Sequence, residues 1–199
     1  MEKYIELPFT MNIVGSCGAG KSYMIRYFCS SFQNHFKHIM VISNTALMTD
    51  KHDYSFLKNG FNHSISGTIN ADEKILKLMS IQEKKTNKPP VLLILDDVYG
   101  DIKNSKILKR LCTTFRHYNI SIIFSVQYVY GHSTELREIS RYACVFNQKS
   151  RKALEAIYQC YFMSEYDTFN EFKRNFQLHP FHFYFIDRVN NTTKIMVCP

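Results

Sequence analysis

Residues Gly15-Ser16-Cys17-Gly18-Ala19-Gly20-Lys21-Ser22 fit the pattern G-x-x-x-x-G-K-[ST], and few backbone arrangements accept it. An apolar stretch, residues 9–14, stands directly before the run, and a helical pattern extends from Lys21 to about Phe32 after it. The glycines allow the backbone to close around an anion with its amide N–H groups turned inward. The helix that follows adds the positive end of its dipole. Lys21 is placed to reach the β- and γ-phosphates of a nucleotide, and Ser22 to give its hydroxyl to Mg²⁺. Cys17 reads as a passive residue of the loop.

Around this unit, strand-like and helix-like segments alternate. Strands are expected at 38–43, 91–95, 120–126 and 142–147, and helices at 72–82, 104–117, 134–141, 150–161 and 164–176. Asp72 or Asn70 is the candidate cap of the first of these helices. A hairpin of strands 181–188 and 193–197 turns at Asn190-Asn191. The segment 45–70 has mixed polarity and predicts only a short helix and an excursion of the chain. The alternation implies an α/β fold with a mostly parallel sheet flanked by helices and a C-terminal antiparallel hairpin, in one domain spanning 1–199.

Two further stretches carry chemistry. Val91 to Leu95 is a continuous apolar run, as expected of a strand covered on both faces, and it delivers Asp96 and Asp97 to its exit. That edge of a parallel sheet is where ligands bind. Asp96 is expected to hold Mg²⁺ opposite Ser22, and Asp97 to orient or deprotonate an attacking water. An acid pair at this position points to ATPases with an additional strand between the phosphate loop and the acidic strand. Gln127 ends the next buried strand on the same edge, where its amide can bond the γ-phosphate or the water. Arg116 precedes that strand; a finger reaching a neighbouring subunit and a solvated helix end are its two readings.

Together GSCGAGKS at 15–22, LLILDD at 92–97 and FRHYNISIIFSVQ at 115–127 resemble the FtsK–HerA superfamily of P-loop ATPases, and within it the poxvirus-type genome-packaging ATPases. The resemblance covers residues 9–150. It implies an additional-strand, RecA-like fold and an ATP-driven, magnesium-dependent motor that pumps double-stranded DNA into a capsid. It also implies a homo-oligomeric ring of about five or six subunits, and capsid or portal partners. Lys21 and Ser22 then bind nucleotide and magnesium, Asp96 binds magnesium, Asp97 is the base, Gln127 the sensor and Arg116 the trans-acting finger, with Arg137 and Arg141 as alternatives to Arg116. Many relatives carry Glu where this chain has Asp97, so the shorter arm must approach more closely. An AAA-type replication or helicase-loading ATPase is the competing class, as is a nucleotide-binding subunit without turnover. The first would favour Asn, Ser or Thr at position 127 and a helical lid.

The formal net charge of +8 suits a polyanionic partner. Lys84, Lys85 and Lys88 before the acidic strand, and Lys103 and Lys106 after it, are the candidate contacts to DNA phosphates; Tyr128 and Tyr130 could stack. No apolar run is long enough for a membrane span, and the N-terminus has no leader pattern. The chain is therefore expected to stay in the compartment where it is made; the resemblance implies that this is the cytoplasm of an infected cell, in a viral factory, with a passing role at the capsid vertex. The six cysteines lack the paired spacing of a zinc site. His179 and His182, three apart, have no cysteine or carboxylate cluster to complete a metal site.

Overall fold

The computed structural model describes residues 2–47, 54–58, 60–102, 104–131 and 134–198. Strand β1 (Thr10–Val14) leads into the phosphate loop and helix α1 (Lys21–Ser31). Strand β2 (His38–Ile42) follows, then β3 (His63–Ser66), α2 (Ala71–Glu83) and β4 (Val91–Asp96). A short helix α3 (Tyr99–Ile102) precedes α4 (Lys106–Tyr118), which returns the chain to β5 (Ile120–Val126). Helix α5 (Thr134–Ile139), strand β6 (Tyr142–Phe146), α6 (Arg151–Ile157) and α7 (Phe169–Asn175) precede the hairpin β7 (His182–Asp187) and β8 (Thr192–Val197).

All eight strands form one sheet in the order β3-β2-β4-β5-β1-β6-β7-β8. Pairs from β3 through β6 are parallel, while β6–β7 and β7–β8 are antiparallel. The fold is that of a P-loop NTPase with an additional strand: β5 lies between the loop-bearing β1 and the acidic β4.

Side-chain alternation divides the core in two. On β4, Leu92 and Ile94 face the cluster under α1, built on Met24, Ile25 and Phe28. Val91, Leu93 and Leu95 face the opposite cluster, with Ile75 and Leu78 of α2 and Leu108, Leu111 and Phe115 of α4. Both faces of the central strands are thus covered, which explains the unbroken apolar run Val91–Leu95 of β4 and the predominantly apolar sequence of β5, where only Ser121 and Ser125 interrupt it.

Three expectations are corrected. Segment 45–70 carries short helical turns at Thr45–Leu47 and Ser55–Lys58 but also contributes the unexpected strand β3, which lies at the sheet edge and pairs in parallel with β2; residues 48–53 and 59 lie outside the described residues. The helix expected over 164–176 begins only at Phe169, where Thr168 caps it by accepting a hydrogen bond from the Glu171 amide. The helix expected over 150–161 passes into a π-helical turn, Tyr158–Phe162, which seats Phe162 against Phe172 and Tyr184 with ring centroids 5.1 and 5.3 Å away. Asn70 does occupy the N-cap position of α2, but in a left-handed conformation and without a side-chain capping bond.

Candidate active site

The phosphate loop leaves β1 at Val14, and the Gly15 amide donates to the Val126 carbonyl at 3.2 Å, fixing the loop to β5. Gly15 must lack a side chain, because a Cβ there would stand 2.8 Å from Phe146 Cβ. Gly18 and Gly20 adopt φ of 76° and 108°, the left-handed region that glycine enters without penalty. Gly20 is the N-cap of α1 and offers no side chain to the first-turn amides, so those donors are left for an anion. Lys21 Nζ donates to the Gly15 carbonyl at 2.8 Å and the Ser16 carbonyl at 3.2 Å, which leaves one of its three N–H groups for a phosphate oxygen. Burial lowers the Lys21 pKa from the ordinary lysine value, while the charges of Asp97 and Asp96 raise it back.

Asp96 closes β4 in register with Ser125 of β5. Burial raises its carboxyl above the usual range, opposed by the hydroxyls of Ser125 and Tyr54 and by Lys21. Tyr54 Oη donates to Asp96 Oδ2 at 2.9 Å. No sequence signal singles out Tyr54, one of three aromatics, with Phe56 and Phe61, in the segment of mixed polarity. Asp97 is exposed and takes φ of 51°, a left-handed turn that Asp tolerates better than most residues. Its amide donates to the Ser125 carbonyl at 3.0 Å. Gln127 lies one residue past β5, and its Nε2 donates to Asp97 Oδ2 at 2.7 Å. The Gln127 carbonyl in turn accepts from Gln148 Nε2 at 3.1 Å, a second support that the sequence did not announce. Lys21, Asp96, Asp97 and Gln127 thus meet at one edge of the sheet.

The remaining candidates lie elsewhere. Arg116 is exposed in the last turn of α4, at the end where β5 begins. The seven residues of β5 separate it from Gln127 by about 20 Å, so it does not serve its own phosphate loop. Arg141 is held in structure: it pairs with Glu6 at 2.6 Å and Asp187 at 3.5 Å and lies over the Tyr142 ring. Arg137 donates to Thr134 Oγ1 at 3.0 Å and stacks on Tyr130, whose own hydroxyl bonds Gln159. Tyr128 is exposed. Lys84 and Lys85 follow α2 and Lys88 precedes β4, so all three share the edge of Arg116; Lys88 Nζ caps α4 through the His117 carbonyl at 2.9 Å. Lys106 begins α4 near the acidic edge instead. Lys84, Lys85 and Lys88 therefore lie at the edge opposite Lys106, while Lys103 lies outside the described residues.

The donor set suits magnesium carried in by a triphosphate. Ser22, Asp96 and Asp97 offer only oxygen atoms, and among the described residues no group of three His, Cys, Asp or Glu could hold a metal alone. Magnesium is commonly bound in this way, by one or two carboxylates plus substrate phosphates. A cation beside Asp96 would also restore the charged form that burial disfavours.

Strand order, lysine-bearing loop and acid pair define the class: a P-loop NTPase of the additional-strand type. Within that class the chain belongs to the poxvirus A32 protein family, which matches residues 1–165. It is 27% identical over 153 residues to the DNA packaging protein OPG160 of variola virus, covering 73% of this chain and 56% of that one. The match to OPG160 of monkeypox virus has the same identity and covers 50% of that protein. The chain thus spans about half the length of these viral relatives. Among solved structures, the DNA-packaging ATPase B204 from Sulfolobus turreted icosahedral virus superposes with a TM-score of 0.72 at 22% identity, covering 96% of this chain and 98% of that one. The genome packaging NTPase B204 of Sulfolobus turreted icosahedral virus 2, in complex with ATP-gammaS, gives 0.68 at 20% identity with the same coverage. EssC from Geobacillus thermodenitrificans gives 0.69 at 14%, with 96% of this chain and 40% of that one covered. These likenesses establish the fold. Among the described residues, no helix is long and apolar enough to cross a membrane.

Proposed function

We propose that this protein is an ATP-hydrolysing motor that drives double-stranded DNA into a viral capsid. The observation that carries the reading is the convergence of Lys21, Asp96, Asp97 and Gln127 on one sheet edge in a chain of the poxvirus A32 family. The DNA packaging proteins and packaging NTPases it is similar to supply the DNA side of the proposal.

Magnesium, when bound between Ser22 and Asp96, would neutralise charge on the phosphates. The loop amides and Lys21 bind and orient the triphosphate. Asp97 takes the proton of the attacking water or aligns it, and Gln127 fixes the carboxylate through its 2.7 Å bond. Arg116, exposed and far from its own loop, stabilises the transferring phosphoryl group of a neighbouring subunit in a ring of about five or six copies. Lys84, Lys85, Lys88 and Lys106 are the described candidates for DNA phosphate contact, and Lys103 belongs with Lys106 by sequence. The motor works in the infected cell, in the cytoplasmic factory and at the capsid vertex, against capsid or portal proteins.

The test is steady-state phosphate release with and without duplex DNA. DNA-stimulated turnover that disappears in Lys21→Ala and Asp97→Ala is the expected result. Nucleotide binding without release of phosphate in the wild type would instead make the chain a passive binding subunit.

A further inference from the structure

The strand order fixes which way a bound nucleotide points. Asp96 and Gln127 lie on the β4–β5 flank of β1, so the γ-phosphate is drawn to that side. The nucleoside must then leave toward the other flank, past β6 and β7. A cleft of about 500 Å³ opens there, lined by the loop residues Ser16 to Ala19, by Asn147 and Lys149 after β6, and by the turn His179 to His182 before β7. That volume lies in the range of small-molecule sites, roughly 300–1,000 Å³. Ser16 Oγ donates to the Asn147 carbonyl at 3.5 Å, joining loop and cleft wall.

The turn has an unusual occupant. The His182 amide donates to the His179 carbonyl at 3.1 Å, with Pro180 second and Phe181 third in the turn. Phe181 has φ of 62°, in a place where glycine is the favoured residue. A bulky residue in the left-handed region is strained, and such strain concentrates at ligand sites. The strain is also held in place, since the Phe181 carbonyl accepts from the Cys198 amide at 3.0 Å. The ring recovers little by packing: Phe181 is 55% exposed. It stands over the phosphate loop, with Cδ1 3.7 Å from where a Cβ of Gly20 would be, and 6.0 Å from the Tyr23 ring. His179 and His182, with ring centroids 5.6 Å apart, bring polar edges to the same wall.

We infer that this cleft is the nucleoside subsite, in which the base of the nucleoside triphosphate stacks on Phe181 and its polar edge meets His179, His182 and Asn147. The inference rests on the nucleotide reading above and deepens it. Stacking accepts any planar base, so it adds affinity beyond what the phosphate loop supplies.

Calorimetric titration with two probes, Mg-ATP and magnesium tripolyphosphate, separates the subsite from the phosphate loop. Phe181→Gly should weaken ATP about tenfold or more, the scale of a lost base–aromatic stack, and leave the tripolyphosphate affinity within about twofold. Its unfolding midpoint should hold or rise, since glycine accepts the left-handed turn. Phe181→Asn, which also tolerates that turn, should repeat the loss, and Phe181→Trp should retain ATP affinity. Unchanged ATP affinity in the glycine and asparagine variants would overturn the subsite while leaving the nucleotide reading intact. An equal loss for both probes would overturn it too, by showing that Phe181 supports the phosphate loop instead. Wild-type protein that bound neither probe would remove the nucleotide reading itself.

Discussion

Replacing Gln127 by alanine removes a single donor, 2.7 Å from Asp97 Oδ2. A hydrogen bond to a charged group contributes about 1.5–3 kcal/mol when desolvated. Asp97 is exposed, which discounts the contribution to about 0.5–1 kcal/mol. For a chain of this size the melting midpoint should therefore fall by about 1–4 °C. Turnover should suffer far more. The Asp97 backbone is anchored through Ser125, but its carboxylate is held by Gln127, and a misplacement of about 1 Å can cost about 100-fold. The expected loss in kcat is about 10- to 100-fold, with little change in nucleotide affinity, measured by single-turnover phosphate release and calorimetry. If Gln127 acts through Asp97, the double variant Asp97→Asn, Gln127→Ala should be no slower than Asp97→Asn alone. Strictly additive losses, or a Gln127→Ala enzyme at full speed, would refute the idea that sensor and base form one unit.

Asp96→Asn should melt higher than wild type at neutral pH while losing magnesium-dependent turnover. Folding raises the Asp96 pKa above 3.8, so the native state holds this proton more tightly than the unfolded chain does. Wild-type stability therefore falls as pH rises through the window above 3.8, and the advantage of the variant should vanish on acidification below that window; melting curves across pH check this. Gly15→Ala should lose about 1–3 kcal/mol in denaturant unfolding, because the new Cβ would meet Phe146 Cβ at 2.8 Å and Ala19 Cβ at 3.1 Å. Arg141→Ala should lower the melting midpoint yet keep ATP affinity, since its guanidinium serves Glu6 and Asp187. Inactive Arg116→Ala subunits mixed with inactive Asp97→Ala subunits should regain phosphate release; a mixture as inactive as its components would remove Arg116 from the shared site.

Legibility in the sequence followed burial. Strands β4 and β5 are covered on both faces, and their mainly apolar sequences, running to Leu95 and Val126, mark both the elements and the edge on which the acids and Gln127 lie. Strand β3 is an edge strand of sequence His-Ser-Ile-Ser, only partly buried, and its pairing with β2 owes nothing to an apolar pattern of its own. Tyr54 is the exception, buried yet not legible, because its bond to Asp96 crosses 42 residues and rests on tertiary packing alone. The start of α7 was misplaced because aromatic spacing continues upstream of Thr168, whose capping bond decides the boundary.

The basic residues are the instructive case. Composition counts them but does not say which edge of a sheet they occupy. Parallel strands make that question consequential, because every strand then begins at one edge and ends at the other. Lys88 stands before β4 and Arg116 before β5, while Asp96, Asp97 and Gln127 stand at the exits of the same two strands. The cationic edge is also fastened internally. Asn119 Nδ2 donates to the Lys88 carbonyl at 2.7 Å, and Gln82 Nε2 donates to the Pro89 and Tyr118 carbonyls at 2.7 and 2.9 Å. Two adjacent, fully buried strands with tied ends are stiff elements, so Asp97 and Gln127 are carried at the exits of a pair whose entries are braced by Asn119 and Gln82.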